Sequence, residues 1–281
     1  ERLAEARTGL AATAYLSQRP ADERRSEAAF EAEWARMGGV LRADLGAPSA
    51  AAFDGVRPAA ARALGEAALP QVRAYYQASL DYGKSTEPAS GLYYLGLAQA
   101  ERELAAFCRT LSAPSSLPPP PVRDLHAELD ALEGELLAAY RPPASIARHG
   151  EFIGASSTLK EARELDAAGL RYGALLRYLQ AAQRVAALRP PSPTPLDLAA
   201  GALARRLREL DARLAASGVD DSLGRLFLET AEAEAAASPS AAAEIAGDVL
   251  PRYFAALAPA RPEPPKPAPR VTVTLVRWPY T

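Results

Sequence analysis

The sequence predicts an all-α protein of stacked antiparallel helical hairpins, followed by a proline-rich arm ending in one β-strand. Three observations predict it. Apolar residues recur at spacings of three and four over nearly the whole chain, which gives each helix one apolar stripe. The 281 residues are 49% hydrophobic, but much of that is alanine, which builds helix while filling little volume. Proline and glycine clusters cut the periodic stretches into about eleven or twelve helix-length pieces, suited to antiparallel pairing.

Taken in order, Pro20 separates the first helix from the second. In 30–45, Phe30, Trp34, Met37, Leu41 and Leu45 form one stripe, with Glu31, Glu33 and Arg36 off it. The 47–49 segment closes that helix, Pro58 opens the third, and Pro70 kinks or splits it. Thr86 is placed as N-cap of the next helix, ahead of Pro88. In 122–140, Val122, Leu125, Leu129, Leu132, Leu136 and Tyr140 repeat the stripe, with Glu128, Asp130, Glu133 and Glu135 opposite it on a solvated face. The 144–156 stretch reads as a loop carrying Phe152 and Ile153, either tucked beneath it or forming a contact. Leu196, Leu203, Leu207, Leu210 and Leu214 mark a further helix, with Pro195 in its first turn. The segments 217–221 and 237–240 divide the last three helices, and Pro251 bends the final one. The chain then divides into an N-terminal helical region (1–112), a proline-rich linker (113–121), a C-terminal helical region (122–257), a proline-rich spacer (258–270) and the arm (271–281).

Two segments carry the spacing of known helical hairpins. In about 157–188, Gly169 is followed by Ala174, Leu175, Tyr178 and Ala181, while Ala162 and Leu165 precede it. In 88–111, Leu95 and Gly96 stand together within the 91–100 stretch, without a turn glycine after them. Both segments resemble tetratricopeptide helical hairpins, in which small residues let two helices approach and larger ones fill the gap. Tyr172 stands one residue from the family's usual aromatic position, and Thr158 occupies its tryptophan-like one. The resemblance covers about a fifth of the chain and no strict 34-residue period runs through it. It implies irregular α-solenoid-like stacking and a protein-binding scaffold.

No residue constellation points to catalysis, so the chain is read as a non-enzyme without metal or cofactor. The 81–86 segment contains Gly-Lys-Ser, but the earlier glycine of a phosphate loop is replaced by Ala78 and no strand precedes it. His126 and Asp130 share a helix face, yet a metal site needs further ligands. His149 and Glu151 are two residues apart. Cys108, the single cysteine, sits in an apolar helical stretch as a small buried residue and leaves no intramolecular disulfide. A net charge of −2 argues against nucleic acid. No apolar run is long enough to span a membrane. Arg205, Arg206 and Arg208 form a solvated flank. Tyr75, Tyr76, Tyr93 and Tyr94, with Tyr82 nearby, either pack between hairpins or line a groove for a small ligand or peptide. The chain starts at Glu1, which fits a removed export signal and a periplasmic or extracellular location as well as a trimmed chain; cysteine usage does not separate these from the cytosol.

The arm carries the functional expectation. Val271, Val273 and Leu275 alternate with Thr272, Thr274, Val276, Trp278 and Tyr280, and Pro279 ends the pattern. A lone strand cannot satisfy its own N–H and C=O groups. It can fold back on its body, pair with a second copy, or add to another subunit's sheet; the last is favoured because a helical body offers no edge. The spacer from Pro259 to Pro269, at ~3.1 Å per residue, reaches roughly 30 Å. The expected function is a non-catalytic accessory or scaffolding subunit whose partner contacts come from Val271, Val273, Leu275, Val276, Trp278 and Tyr280, the alternative being a receptor using the tyrosine groove.

Overall fold

A computed structural model describes residues 2–45, 50–53, 55–56, 58–85, 87–111, 117–142, 146–189 and 201–257. Within them lie eleven α-helices and no strand. They are α1 (Arg2–Ser17), α2 (Glu27–Leu45), α3 (Ala59–Ser85), α4 (Pro88–Thr110), α5 (His126–Ala139), α6 (His149–Ala167), α7 (Arg171–Leu188), α8 (Ala202–Ala215), α9 (Ser222–Ala237), α10 (Pro239–Glu244) and α11 (Leu250–Leu257). The arm, the spacer, Thr86, Pro195 and Leu196 lie outside the described residues.

The long antiparallel pair α3/α4 is central. It closes tightly because glycines face each other near its turn: a Cβ on Gly91 would come within 2.7 Å of the Gly83 Cα. The buried Phe30 ring of α2 lies over both glycines. The Gly-Lys-Ser string is thus the last turn of α3, with its glycine under an aromatic plug. Pro88 opens α4 at a position that needs no N–H. The α1 helix packs on α4 where Gly96 leaves no room for a side chain, its would-be Cβ being 2.9 Å from the Ala12 Cα.

Two apolar cores result. A small one joins Phe30, Met37, Leu41, Val72, Tyr76, Leu92 and Leu95. The larger one gathers Phe53, the first half of α3, Ala105 and the leucine stripes of α5 to α9, together with Ile245 to Ala256. It therefore takes residues from both sides of 113–121. Pro70 does not split α3, which runs unbroken for 27 residues; the proline falls between the part that enters the large core and the part that enters the small one. Near Pro251 the final helices contain a π-turn at Ile245–Val249, a device that absorbs a missing N–H without ending the helix.

The 117–125 strap has no helix, and two of its carbonyls are taken up by the body. Pro118 O accepts the Asp220 N–H at 2.8 Å, and Pro120 O accepts the Tyr172 hydroxyl at 2.8 Å. Helix N-termini are capped from far along the chain. Asp220 Oδ2 accepts the Ala59 N–H at 2.9 Å and Ser222 Oγ the Ala60 N–H at 2.9 Å, at the start of α3. Glu66 of α3 does the same for α7, accepting the Gly173 N–H at 2.8 Å. Asp221 accepts the hydroxyl of the buried Tyr253 at 2.5 Å.

The segment 157–188 forms the α6/α7 hairpin, its turn glycine Gly169 standing at φ +75° as left-handed backbone requires. The 88–111 segment is a single helix, α4, paired with α3 before it. The expected loop over 144–156 is corrected: α6 begins at His149. Gly150 and Gly154 weaken the helical signal there; a Cβ on the second would stand 3.0 Å from Arg184 Nη1. Phe152 stacks on Tyr140 with centroids 4.3 Å apart, Tyr140 Oη lies 2.9 Å from His149 Nδ1, and Ile153 faces solvent. Glu135 is not on an open face either; it pairs with Arg189 and, at 2.9 Å, with Arg252 of α11.

Glu66 is fully buried and ion-paired with Arg62 at 2.8 Å. Glu66→Ala is expected to destabilise the fold by about 3 kcal/mol or more, because it breaks a buried ion pair and uncaps α7; an unchanged urea midpoint would contradict this. Between α1 and α2, Glu33 binds Tyr15, Arg19 and Arg36. The Arg36 hydrogen bond, with those of Tyr15 and the Arg19 charge, lowers its carboxyl from 4.5 to about 2. A carboxyl lowered on folding stabilises above its unfolded pKa and loses that contribution as pH falls through the folded one. The stability gap between wild type and Glu33→Gln should therefore close between pH 4.5 and about 2, as thermal melts across that range will show.

Candidate functional site: a polar cleft between two hairpins

Helical spacing on four helices builds one cleft. Leu64, Ala67, Ala68, Gln71 and Tyr75 share a face of α3, and Glu101 and Leu104 do so on α4. Gly154, Ser157, Thr158 and Glu161 lie along α6, and Leu176, Arg177, Gln180 and Arg184 along α7. The small Ala67, Ala68 and Gly154 leave space that longer polar side chains enter, giving a volume of about 300 Å³.

The charges inside are organised. Arg177 Nε lies 3.1 Å from Glu161 Oε2, Nη1 donates to Gln180 Oε1 at 2.9 Å, and Nη2 donates to the Ala67 carbonyl at 3.3 Å. Gln71 also hydrogen-bonds Glu161. Burial pushes the Glu161 carboxyl up, against the opposing charges of Arg177 and Arg184. Burial likewise pushes Glu101 up, and its hydrogen bond comes from the Thr8 hydroxyl of α1 at 3.1 Å. Raised carboxyls inside a cleft are a common signature of functional sites.

The four tyrosines do not share one surface. Tyr76 enters the small core, stacked on Trp34 at 5.0 Å with its hydroxyl donating to the Trp34 carbonyl at 3.2 Å. Tyr75, Tyr93 and Tyr94 gather with Tyr82: Tyr94 stacks on Tyr82 at 4.4 Å and meets Tyr75 at 6.2 Å and Tyr93 at 6.1 Å. The Tyr94 hydroxyl is pushed up to about 12, first by its hydrogen bond with Tyr82 and then by burial. Tyr75 alone of these lines the cleft. The arm residues Val271, Val273, Leu275, Val276, Trp278 and Tyr280 lie outside the described residues.

Elsewhere the groups are dispersed. His126 is exposed, 3.6 Å from Asp130. Cys108 is buried and free, and burial raises its thiol. Arg205 and Arg208 are exposed, while Arg206 faces Glu209 at 3.5 Å. Among the described residues no three His, Cys, Asp or Glu side chains converge at metal-binding spacing, and no helix is long and apolar enough to cross a membrane.

Glu101, Glu161 and Arg177 belong to no motif in the sequence. A partial signal exists for the last, since Arg177, Gln180 and Arg184 recur at helical spacing along α7. Comparison with known proteins finds no matching family model, no matching curated protein and no matching solved structure.

A carboxyl raised on folding makes the native state bind protons more readily, so its contribution to stability falls as pH rises above the ordinary glutamate range. Glu101→Gln, which keeps an acceptor for Thr8, is therefore expected to melt at or above the wild-type temperature at neutral pH, the difference vanishing on acidification. A clear loss of stability at neutral pH would instead mark Glu101 as structural.

Proposed function

We propose that this chain is a non-catalytic scaffolding subunit, a helical-hairpin body that joins a larger assembly through its 271–281 arm. One observation carries the reading: the described body contains no strand, while 271–278 has the alternation of a strand with apolar or β-branched groups on both faces. Such a segment finds its hydrogen-bonding edge in another chain, by addition to a partner's sheet or by pairing with a second copy. The stacked hairpins support the same role, since solenoid-like bodies offer extended surfaces to other proteins. Nothing in this reading calls for a cofactor. A second reading, a receptor for a small ligand or peptide, is supported by Tyr75, which belongs both to the tyrosine group and to the cleft lining.

Removal of 258–281 tests the first reading. The tagged full chain should retain co-purifying proteins or self-association by light scattering, and the shortened chain should lose them while keeping its helical circular dichroism. Undiminished association would sink the proposal.

A further inference from the structure

Glu101 is the carboxylate of the cleft that has no direct ion pair among the described residues. Among the described residues, no cationic nitrogen lies within 4.0 Å of it, and the Thr8 hydroxyl is its hydrogen-bond donor. Two of the cations nearby are engaged elsewhere, and the exposed Arg7 of α1 lies over the Phe107 ring at 6.0 Å. Arg177 is divided among Glu161, Gln180 and the Ala67 carbonyl, and Arg184 acts on Glu161 while lying against Gly154. A half-buried carboxylate without a direct ion pair is costly to hold, and a charge-assisted hydrogen bond from a bound cation offsets that cost.

We propose that the cleft receives an organic cation on an aliphatic stem, an ammonium or guanidinium group such as ends a lysine or arginine side chain, with Glu101 as its counter-ion. Size and lining agree with this class. About 300 Å³ is at the small end of ligand sites, room for one side chain or a small amine. Leu64, Ala68 and Leu104 give the stem an apolar wall, and Tyr75 adds an aromatic ring suited to a cation. An anion is disfavoured, because both guanidiniums already serve Glu161 and an anion would meet Glu101. The charged groups acting on Glu101 are Arg7 of α1, Glu161 of α6 and Arg177 of α7. The inference does not depend on the arm, and a chain lacking 258–281 keeps the site.

Calorimetric titration of the full chain with n-butylamine, n-butylguanidine and an acetylated Gly-Lys-Gly amide, each at neutral pH, provides the test, with 1-butanol as the uncharged match. Saturable binding of the cations and none of the alcohol is expected. Binding of the tripeptide as well as the amines assigns a peptide side chain as occupant, and binding of the amines alone assigns a free amine. Glu101→Gln should weaken binding about tenfold or more. Glu103→Gln, on the exposed face of the same helix and bonded to Gln99, should leave it unchanged. Binding should also fade as Glu101 protonates in acid. Equal affinity for butanol, full affinity in Glu101→Gln, or no saturable binding of any cation would overturn the proposal. Should the variant fail to fold, the comparison of cation with alcohol on the wild-type chain decides by itself.

Discussion

The contact between α3 and α7 at Glu66 and Gly173 sets the geometry of the rest. A Cβ on Gly173 would lie 2.7 Å from the Glu66 Cβ and 3.0 Å from the Ala67 nitrogen, so the two backbones touch there. Where they touch, the Glu66 carboxylate is sealed in and becomes the cap of α7. Its partner Arg62 spreads over the Tyr172 ring at 4.6 Å, and the Tyr172 hydroxyl holds the proline strap. One buried charge thus joins the central hairpin, the second hairpin and the segment linking them. Burial raises this carboxyl although Arg62 and the Gly173 N–H pull it down. An ion pair so placed specifies a position more than it adds stability.

The cleft follows from that contact. Beside that contact, Ala67, Ala68 and Gln71 of α3 line the cleft with Leu176, Arg177 and Gln180 of α7. Helices held together at one level and lined with small residues at the next leave a gap, and the polar side chains of α6 and α7 occupy its walls. A site placed between two rigid hairpins is positioned more firmly than one on a loop.

Much of the helical layout was legible because its cause is local. The stripes of α2 and α5 put Phe30, Met37, Leu41, Leu125, Leu129, Leu132 and Leu136 in the cores by spacing alone. The start of α6 was not legible, because two glycines dilute its propensity and part of its support is remote in sequence, Arg148 donating to the Ala187 and Leu188 carbonyls at the end of α7. Tyr76 was grouped with Tyr75 for adjacency, whereas neighbours on a helix point about 100° apart and here enter different surroundings. The cleft was the least legible part. Its charges come from several helices, and only the packing shows that Glu161 pairs with Arg177 while Glu101 has no ion pair among the described residues.

The end of the described body is tied into its middle. The last described turn is fastened to the strap: the Arg123 N–H binds the Ala256 carbonyl at 3.2 Å and Arg123 Nε binds the Ala255 carbonyl at 3.0 Å. Directly behind them Tyr253 is locked to Asp221, whose neighbour Asp220 caps the central helix. Loosening the last described turn therefore requires breaking contacts with the strap and with the segment that caps the central helix, so this end of the body does not fray independently of its middle.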